Sequence, residues 1–304
     1  LLSLVNDILD FTKIKSHQIT LESIPYDVVD LTEQVVDLVS MEAFGKGIEL
    51  VVDSDYSLPQ FIIGDPTRIQ QVLLNIIKNA VKFTQSGYIH VSLAKKNETA
   101  LLFEIADTGI GIPKEKQELL FTDYYQAETS TTRKYGGTGL GLAICKGLVS
   151  AMNGDIGVRT NPDGGSVFWF TVPFSAAQNV LVSDTKTTAP ANTRILIVDD
   201  SILALNSMRQ KLNSCGLYNI SYAKDAAEAL LKMKNASHLG KAFSLVFIDM
   251  GLPKVDGWHL AWEIKECNFT DTKLYLLVPE GRMGAEAKMK LINLFNGYLY
   301  KPVK

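Results

Sequence analysis

Apolar positions at the start of the chain follow a helical period. Leu1, Leu4, Val5, Ile8, Leu9 and Phe11 make one broad apolar side, on a helix that opens without an N-cap or a capping box. So wide a face needs a packing partner, and a helical bundle or a dimer is the simplest. The same period predicts helices over 28–44 and 67–83, the second opened by Asp65 as cap with Pro66 in its first turn. Alternation of apolar and polar residues instead marks strands over 88–94, 101–106, 155–160 and 166–172. Strands that follow one another without a helix between them predict an antiparallel or mixed sheet with helices on one face, an α+β sandwich spanning 18–174.

Residues 175–193 are polar, rich in Ser, Thr and Ala, contain Pro190 and keep no period, so they read as a linker. Beyond it the rhythm changes. Strands over 194–198, 219–223, 245–248, 274–278 and 298–300 alternate with helices over 201–214, 226–234, 258–265 and 285–295. Strict alternation predicts a doubly wound parallel sheet over 194–304. The last strand lacks a covering helix and the first helix lacks a cap, so the expectation is that sequence is missing on both sides.

Composition adds bounds. A length of 304 residues with 46% hydrophobic and 21% charged residues suits two globular domains and excludes a disordered chain. Thirty basic against 33 acidic residues leave a net charge of -3, so no general cationic surface exists for a nucleic-acid backbone. Cys145, Cys215 and Cys267 lie too far apart for a disulfide framework or a zinc site, which points to a reducing, cytoplasmic setting. No apolar run reaches the roughly 18 residues of a membrane span, so these residues are expected to make no membrane contact, although an upstream part of the parent protein can carry an anchor.

Three short elements of the sandwich carry candidate chemistry. Asn75, Asn79 and Lys82 share one face of a helix whose other sides are apolar, so their polar groups must look into something; standing alone they would read as a solvated stripe. Amide oxygens there suit Mg²⁺ and the ammonium suits a phosphate. Asp107 ends an apolar strand, and Gly109 and Gly111 after it let a flat ligand approach, so the carboxylate can accept from the exocyclic amine of adenine. Gly137, Gly139 and Gly141 free the backbone at a helix start, where N–H groups and the dipole favour phosphate. The polar basic stretch 129–134, with Arg133, is placed to close over phosphates as a lid. Neither GxxxxGK[ST] nor GxGxxG is present.

In the second domain Asp199 and Asp200 end the first strand, Asp249 ends the third and Lys301 ends the fifth. A parallel sheet gathers those ends at one edge. Clustered carboxylates repel unless a cation or lysine offsets them, so Mg²⁺ is expected at Asp199, Asp200 and Asp249, with Asp249 as nucleophile toward a phosphoryl group and Lys301 pairing with the product. The alternative for Asp199 and Asp200 is capping of the next helix. Asp249 is followed by a turn through Asp256 and Gly257 rather than by a helix it caps.

These elements together resemble a known family. Asn75 to Thr84 is similar to the N box, Asp107 to Gly111 to the G1 box, Phe121 to Gln126 to the F box, and Gly137 to Leu142 to the G2 box of sensor histidine kinases. Leu4 to Ile14 resembles the second helix of their dimerisation and phosphotransfer domain, here 1–17. Asp123-Tyr124 stands where the F box usually has Pro-Phe. The resemblance implies a histidine kinase, gyrase and Hsp90 type of ATP-binding fold. It implies ATP and Mg²⁺ held by Asn75, Asn79, Lys82, Asp107, Gly109, Gly111, Arg133, Gly137, Thr138, Gly139, Leu140 and Gly141, with Asn79 on the metal. Related ATPases place a water-activating glutamate at the position of Asn75; an amide is no general base, so phosphoryl transfer is favoured over hydrolysis.

Residues 194–304 resemble the flavodoxin-like receiver of response regulators, with Asp249 as phosphoacceptor. One departure stands out: Val278 replaces the usual Thr or Ser. Two readings stay open, a phosphorylated receiver and a pseudo-receiver acting as an interaction or ligand-sensing module. None of His17, His90, His238 and His259 has the surround of a phosphoacceptor, so the acceptor is expected on an upstream helix. The implied partners are that phosphotransfer helix, a second kinase protomer, and a downstream response regulator or phosphotransfer protein.

Overall fold

The computed structural model describes residues 2–16, 18–122, 139–177, 193–267, 269, 271–281 and 294–304. Two compact units divide the chain, Leu1–Leu181 and Val182–Lys304. No described helix is long and apolar enough to cross a membrane.

The first unit is a two-layer sandwich. Its main sheet contains β2 (Ile48–Ser54), β4 (Gly87–Asn97), β5 (Ala100–Asp107), β6 (Ile156–Thr160) and β7 (Ser166–Pro173), in the order β2-β4-β5-β7-β6. The sheet is mixed, since β2 pairs parallel with β4 and the remaining neighbours are antiparallel. Helices α2 (Val28–Gly45), α3 (Pro66–Phe83) and α5 (Gly141–Ala151) supply the other layer. Inward residues of β5, Leu101, Phe103 and Ile105, are fully buried, and Phe103 stacks on Phe170 of β7 at 4.5 Å. A short α4 (Lys114–Gln117) and a 3-10 turn (Glu118–Phe121) follow β5.

Sequence periodicity misses β2. Its residues Leu50, Val51 and Val52 are all buried, so it lacks the alternation of a half-buried strand. It also misses a second, three-stranded antiparallel sheet of β1 (Ile24–Tyr26), β3 (Ile62–Gly64) and β8 (Ser175–Ala176), in the order β1-β3-β8. The polar stretch assigned to the linker therefore begins with a strand of the first unit. Strands this short carry no period of their own.

Helix α1 (Leu2–Lys15) packs on α5, and a Cβ at Gly147 would lie 2.4 Å from Ile14 Cγ2. Asp10 accepts from Gln71 Nε2 at 2.8 Å and pairs with Arg68 at 3.4 Å, both on α3. Val5, Ile8 and Leu9 remain about half exposed. The predicted cap of α3 is present: Asp65 accepts from Arg68 N at 2.9 Å through Oδ1, while Oδ2 accepts from Glu22 N at 2.9 Å.

The second unit is a five-stranded parallel sheet of β9 (Ile195–Val198), β10 (Ile220–Ala223), β11 (Leu245–Asp249), β12 (Lys273–Pro279) and β13 (Gly297–Lys301), ordered β10-β9-β11-β12-β13. Helix α6 (Ile202–Ser214) contributes Leu205, Met208 and Leu212 to a core on one face; α7 (Ala226–His238) and α8 (Gly257–Glu266) cover the other. The N-cap of α6 is Ser201, which accepts from Ala204 N at 3.2 Å, so neither Asp199 nor Asp200 caps it. Asp256, expected in a plain turn, caps α8 by accepting from His259 N at 2.8 Å. Helix α7 runs to His238 instead of stopping at Lys234. His17 and most of the helix expected over 285–295 lie outside the described residues.

Asp65 is 4% exposed and holds two N–H groups. Asp65→Ala removes a helix cap and strands Glu22 N, so the first unit should lose about 2 kcal/mol. Urea unfolding of a chain with Trp258 and Trp262 changed to Phe, which leaves Trp169 as reporter, measures this; Asp65→Asn should retain over half the loss-free stability.

Candidate functional sites

In the first unit α3 buries Val72, Leu73, Ile76, Ile77 and Ala80 and leaves Asn75, Asn79 and Lys82 partly buried on the opposite side, as the spacing predicts. The Asn75 amide lies against the first residue of α5: a Cβ at Gly141 would sit 2.7 Å from Nδ2 and 2.8 Å from Oδ1. Asn75 Nδ2 also donates to Cys145 Sγ at 3.1 Å. Gly139 has φ +69° and Leu140 is buried, so the N-terminus of α5 comes directly beside Asn75. The Lys82 ammonium lies 5.0 Å above the Phe83 ring.

Asp107, the last residue of β5, is 5% exposed. Its Oδ1 accepts from Gly109 N at 2.8 Å, and the Ser166 N–H also bonds the carboxylate. Burial pushes the carboxyl above its ordinary range, and the two N–H groups oppose that shift without cancelling it. Gly109 is required for close approach, because a Cβ there would sit 2.6 Å from Phe83 O. The Asp107 loop is thereby clasped to the last turn of α3, next to Lys82. Gly111, at φ +69°, lies against Gly165. Arg133, Gly137 and Thr138 lie outside the described residues, as does Asp123-Tyr124.

Sequence reasoning missed several groups around Asp107. Thr108 Oγ1 accepts from Tyr88 N at 2.9 Å, and Asn161, in the β6–β7 turn, donates to the Asp107 main-chain oxygen at 2.8 Å. A Cβ at Gly165 would lie 2.2 Å from that same oxygen. Gly164-Gly165 between two strands is a turn signal in the sequence, but nothing local says what the turn backs onto.

In the second unit the strand ends converge as expected. Asp199, Asp249 and Lys301 are 1%, 6% and 5% exposed, and Asp200 is exposed. Lys301 Nζ donates to Asp199 Oδ2 at 2.8 Å and stands 2.8 Å from Asp249 Oδ1, an ion pair without hydrogen-bond alignment. Asp249 Oδ2 accepts from Gly251 N, and Asp199 Oδ1 from Ser201 N, each at 2.9 Å. One carboxylate oxygen of each aspartate falls within 4.8 Å of the others. Oxygen donors clustered this closely, with the buried Asp249 Oδ1 left without a hydrogen bond, fit a hard divalent cation such as Mg²⁺. Val278 is fully buried in β12 beside Tyr300, and brings no hydroxyl to this edge. Tyr298 is 38% exposed and stands edge-on to Tyr300 at 5.2 Å.

Residues 64–176 match the family model described as histidine kinase-, DNA gyrase B-, and HSP90-like ATPase, and residues 195–304 match the response regulator receiver domain. Hybrid signal transduction histidine kinase K of Dictyostelium discoideum is 35% identical over 284 residues, 88% of this chain and 23% of that protein. Signal transduction histidine-protein kinase BarA of Escherichia coli (strain K12) is 38% identical over 208 residues, 67% of this chain and 23% of that protein. The chain thus spans about a quarter of the length of these curated relatives. The crystal structure of full-length ShkA in complex with AMPPNP is similar across 100% of this chain and 59% of that one, with 28% identity and a TM-score of 0.74.

A carboxyl held above its ordinary range makes its contribution to stability below the unfolded carboxyl's range and loses it as pH rises through the folded pKa. At neutral pH the buried Asp107 charge therefore opposes folding. Asp107→Asn keeps an acceptor for Gly109 N and removes the charge, so the melting temperature at pH 7 should rise. Calorimetry at pH 5 and pH 7 should show the stability gain shrinking at the lower pH.

Proposed function

We propose, for a chain whose residues 64–176 belong to the histidine kinase-, DNA gyrase B- and HSP90-like ATPases and whose residues 195–304 belong to the response regulator receivers, that it is the kinase and receiver part of a hybrid histidine kinase in a phosphorelay. The observation that carries this reading is the contact of the Asn75 amide with the N-terminus of α5, at a position where a water-activating ATPase needs a carboxylate. An amide takes no proton from water, which supports transfer of the γ-phosphoryl group to a protein acceptor.

In this reading Asp107 accepts from the adenine amine, and Gly109 and Gly111 give the base room. The N-terminal amides of α5, with Gly137, Thr138, Gly139, Leu140 and Gly141, hold the phosphates, Lys82 pairs with one of them, and Arg133, from its place in the sequence, supplies a further cation. Asn75 and Asn79 offer amide oxygens to Mg²⁺, which when bound neutralises the triphosphate. The acceptor is a histidine on an upstream helix packed with α1, and the half-exposed Val5, Ile8 and Leu9 suit a helical dimer. The kinase works in the cytoplasm.

The receiver reading assigns the phosphoryl group to Asp249. Its carboxylate attacks phosphorus while the P–N bond of a phosphohistidine breaks, and the imidazole keeps the bonding electrons and takes up a proton. Asp199, Asp200 and Asp249 hold Mg²⁺, which when bound offsets the charge of the incoming phosphoryl oxygens. Lys301, already 2.8 Å from Asp249, pairs with the product. A second reading rests on Val278: with no hydroxyl in β12 to follow the phosphoryl group, the unit acts as an unphosphorylated interaction module.

Acetyl phosphate with Mg²⁺ separates the two readings. An acid-labile adduct that disappears in Asp249→Asn and falls at least about tenfold in Lys301→Ala supports transfer; no adduct leaves the interaction module. With labelled ATP alone, no histidine of this sequence should become phosphorylated, and mapped label on one would overturn the upstream-acceptor reading.

A further inference from the structure

The turn joining β6 to β7 carries a closed hydrogen-bond circuit behind Asp107. Asn161, 5% exposed, donates from Nδ2 to Asp107 O at 2.8 Å and to Tyr88 Oη at 3.3 Å. Tyr88 Oη donates to Asp163 Oδ2 at 2.7 Å, and Asp163 N donates back to Asn161 Oδ1 at 3.3 Å. Both donors and the acceptor of the Asn161 amide are thereby engaged, and the amide has one orientation. Turned over, its oxygen would face the Asp107 carbonyl and its nitrogen the Asp163 N–H, two repulsive contacts in place of two bonds.

Strand pairing explains why Asp107 needs this support. The β5–β7 ladder ends at Ala106↔Val167, so on that side the Asp107 carbonyl has no strand partner and Asn161 bonds it instead. The turn reaches it only because Gly165, at φ +83°, has no side chain: a Cβ there would lie 2.2 Å from Asp107 O and 2.7 Å from Oδ1. Asp107 is thus gripped at its carbonyl by Asn161 and at its carboxylate by Gly109 N and Ser166 N.

We propose that Asn161 is a positioning residue that sets the base preference of the nucleotide pocket: by fixing the Asp107 main chain it fixes the direction of the carboxylate, which then accepts a 6-amino purine and refuses a 6-oxo purine. This rests on the reading of Asp107 as the group that meets the base. A carboxylate accepts from an amine but repels a carbonyl oxygen, and the repulsion discriminates only while the carboxylate cannot swing aside. Without the Asn161 bond the main chain that carries the carboxylate can shift, and only the Gly109 and Ser166 N–H groups hold its direction, so attraction to adenine and rejection of the oxo base weaken together.

Displacement of a ribose-labelled fluorescent ATP analogue from the full chain, by ATP and by inosine triphosphate, tests this. Asn161→Ala should lower ATP affinity about fivefold and leave that of inosine triphosphate within about twofold, so the ratio of the two falls. Asn161→Asp preserves shape but turns an oxygen toward the Asp107 carbonyl, and should lower the ratio likewise. A ratio is insensitive to the fraction of folded protein, and should Asn161→Ala fail to fold, Asn161→Asp and the milder Tyr88→Phe carry the test. An unchanged ratio in a folded Asn161 variant overturns the proposal. Asp107→Asn separates it from the reading beneath: if that variant keeps the wild-type ratio, Asp107 does not meet the base; if it loses the ratio while the Asn161 variants keep it, only the role of Asn161 fails.

Discussion

A buried carboxylate at Asp65 closes the first unit around the start of α3. One oxygen takes the N–H of Arg68 and caps the helix; the other takes the N–H of Glu22 from the segment that follows α1. Arg68 and Gln71, one turn further along, reach Asp10 on α1 itself. The central strand of the small sheet, β3, ends at Gly64 immediately before it, with β1 and β8 on either side. Helix α3 is therefore held at its N-terminus by the segments on both sides of the domain, and at its C-terminus by Gly109 against Phe83 O. The face bearing Asn75, Asn79 and Lys82 is set between two fixed ends, which preorganises its polar groups.

The second unit is organised by a different constraint. Two nearly fully buried aspartates at the end of a parallel sheet are tolerable only with a cation between them, and Lys301 supplies it at 2.8 Å from each. Burial of all three groups brings order without satisfying every atom, because Asp249 Oδ1 has charge pairing but no aligned hydrogen bond. The two candidate sites thus differ in kind: neutral amides and glycine backbone at α5, concentrated negative charge at β9 and β11.

Contiguous features were legible before the fold. The Asp65 cap, the α3 stripe, the glycines after Asp107 and the βα alternation of the second unit all depend on neighbours within one helical turn or one loop, so periodicity and turn chemistry report them directly. The acidic cluster was legible too, because a parallel sheet must bring strand ends together whatever its strand order. Features hidden from the sequence depend on pairing at a distance. β2 carries the buried Val51 on the face of Glu49 and Asp53 and follows α2 through Gly47, so its apolar run Leu50–Val52 does not distinguish strand from buried helix. Ser201 takes the α6 cap from Asp199 because the Asp199 carboxylate is engaged by Lys301 and Ser201 N.

By itself the sequence determined the long amphipathic helices and the alternating strands, which polar residues share a face and which chemistry each cluster suits, since these follow from side-chain spacing and backbone freedom over a few residues. Tertiary structure alone decided that Asn161, over fifty positions from Asp107, would hold its carbonyl, that Asn75 would lie on Gly141, and that residues 24–26 and 175–176 would share one small sheet. Such contacts are selected by shape and hydrogen-bond satisfaction once the core has formed. No local pattern encodes them, because the groups that complete each other lie on different strands and helices.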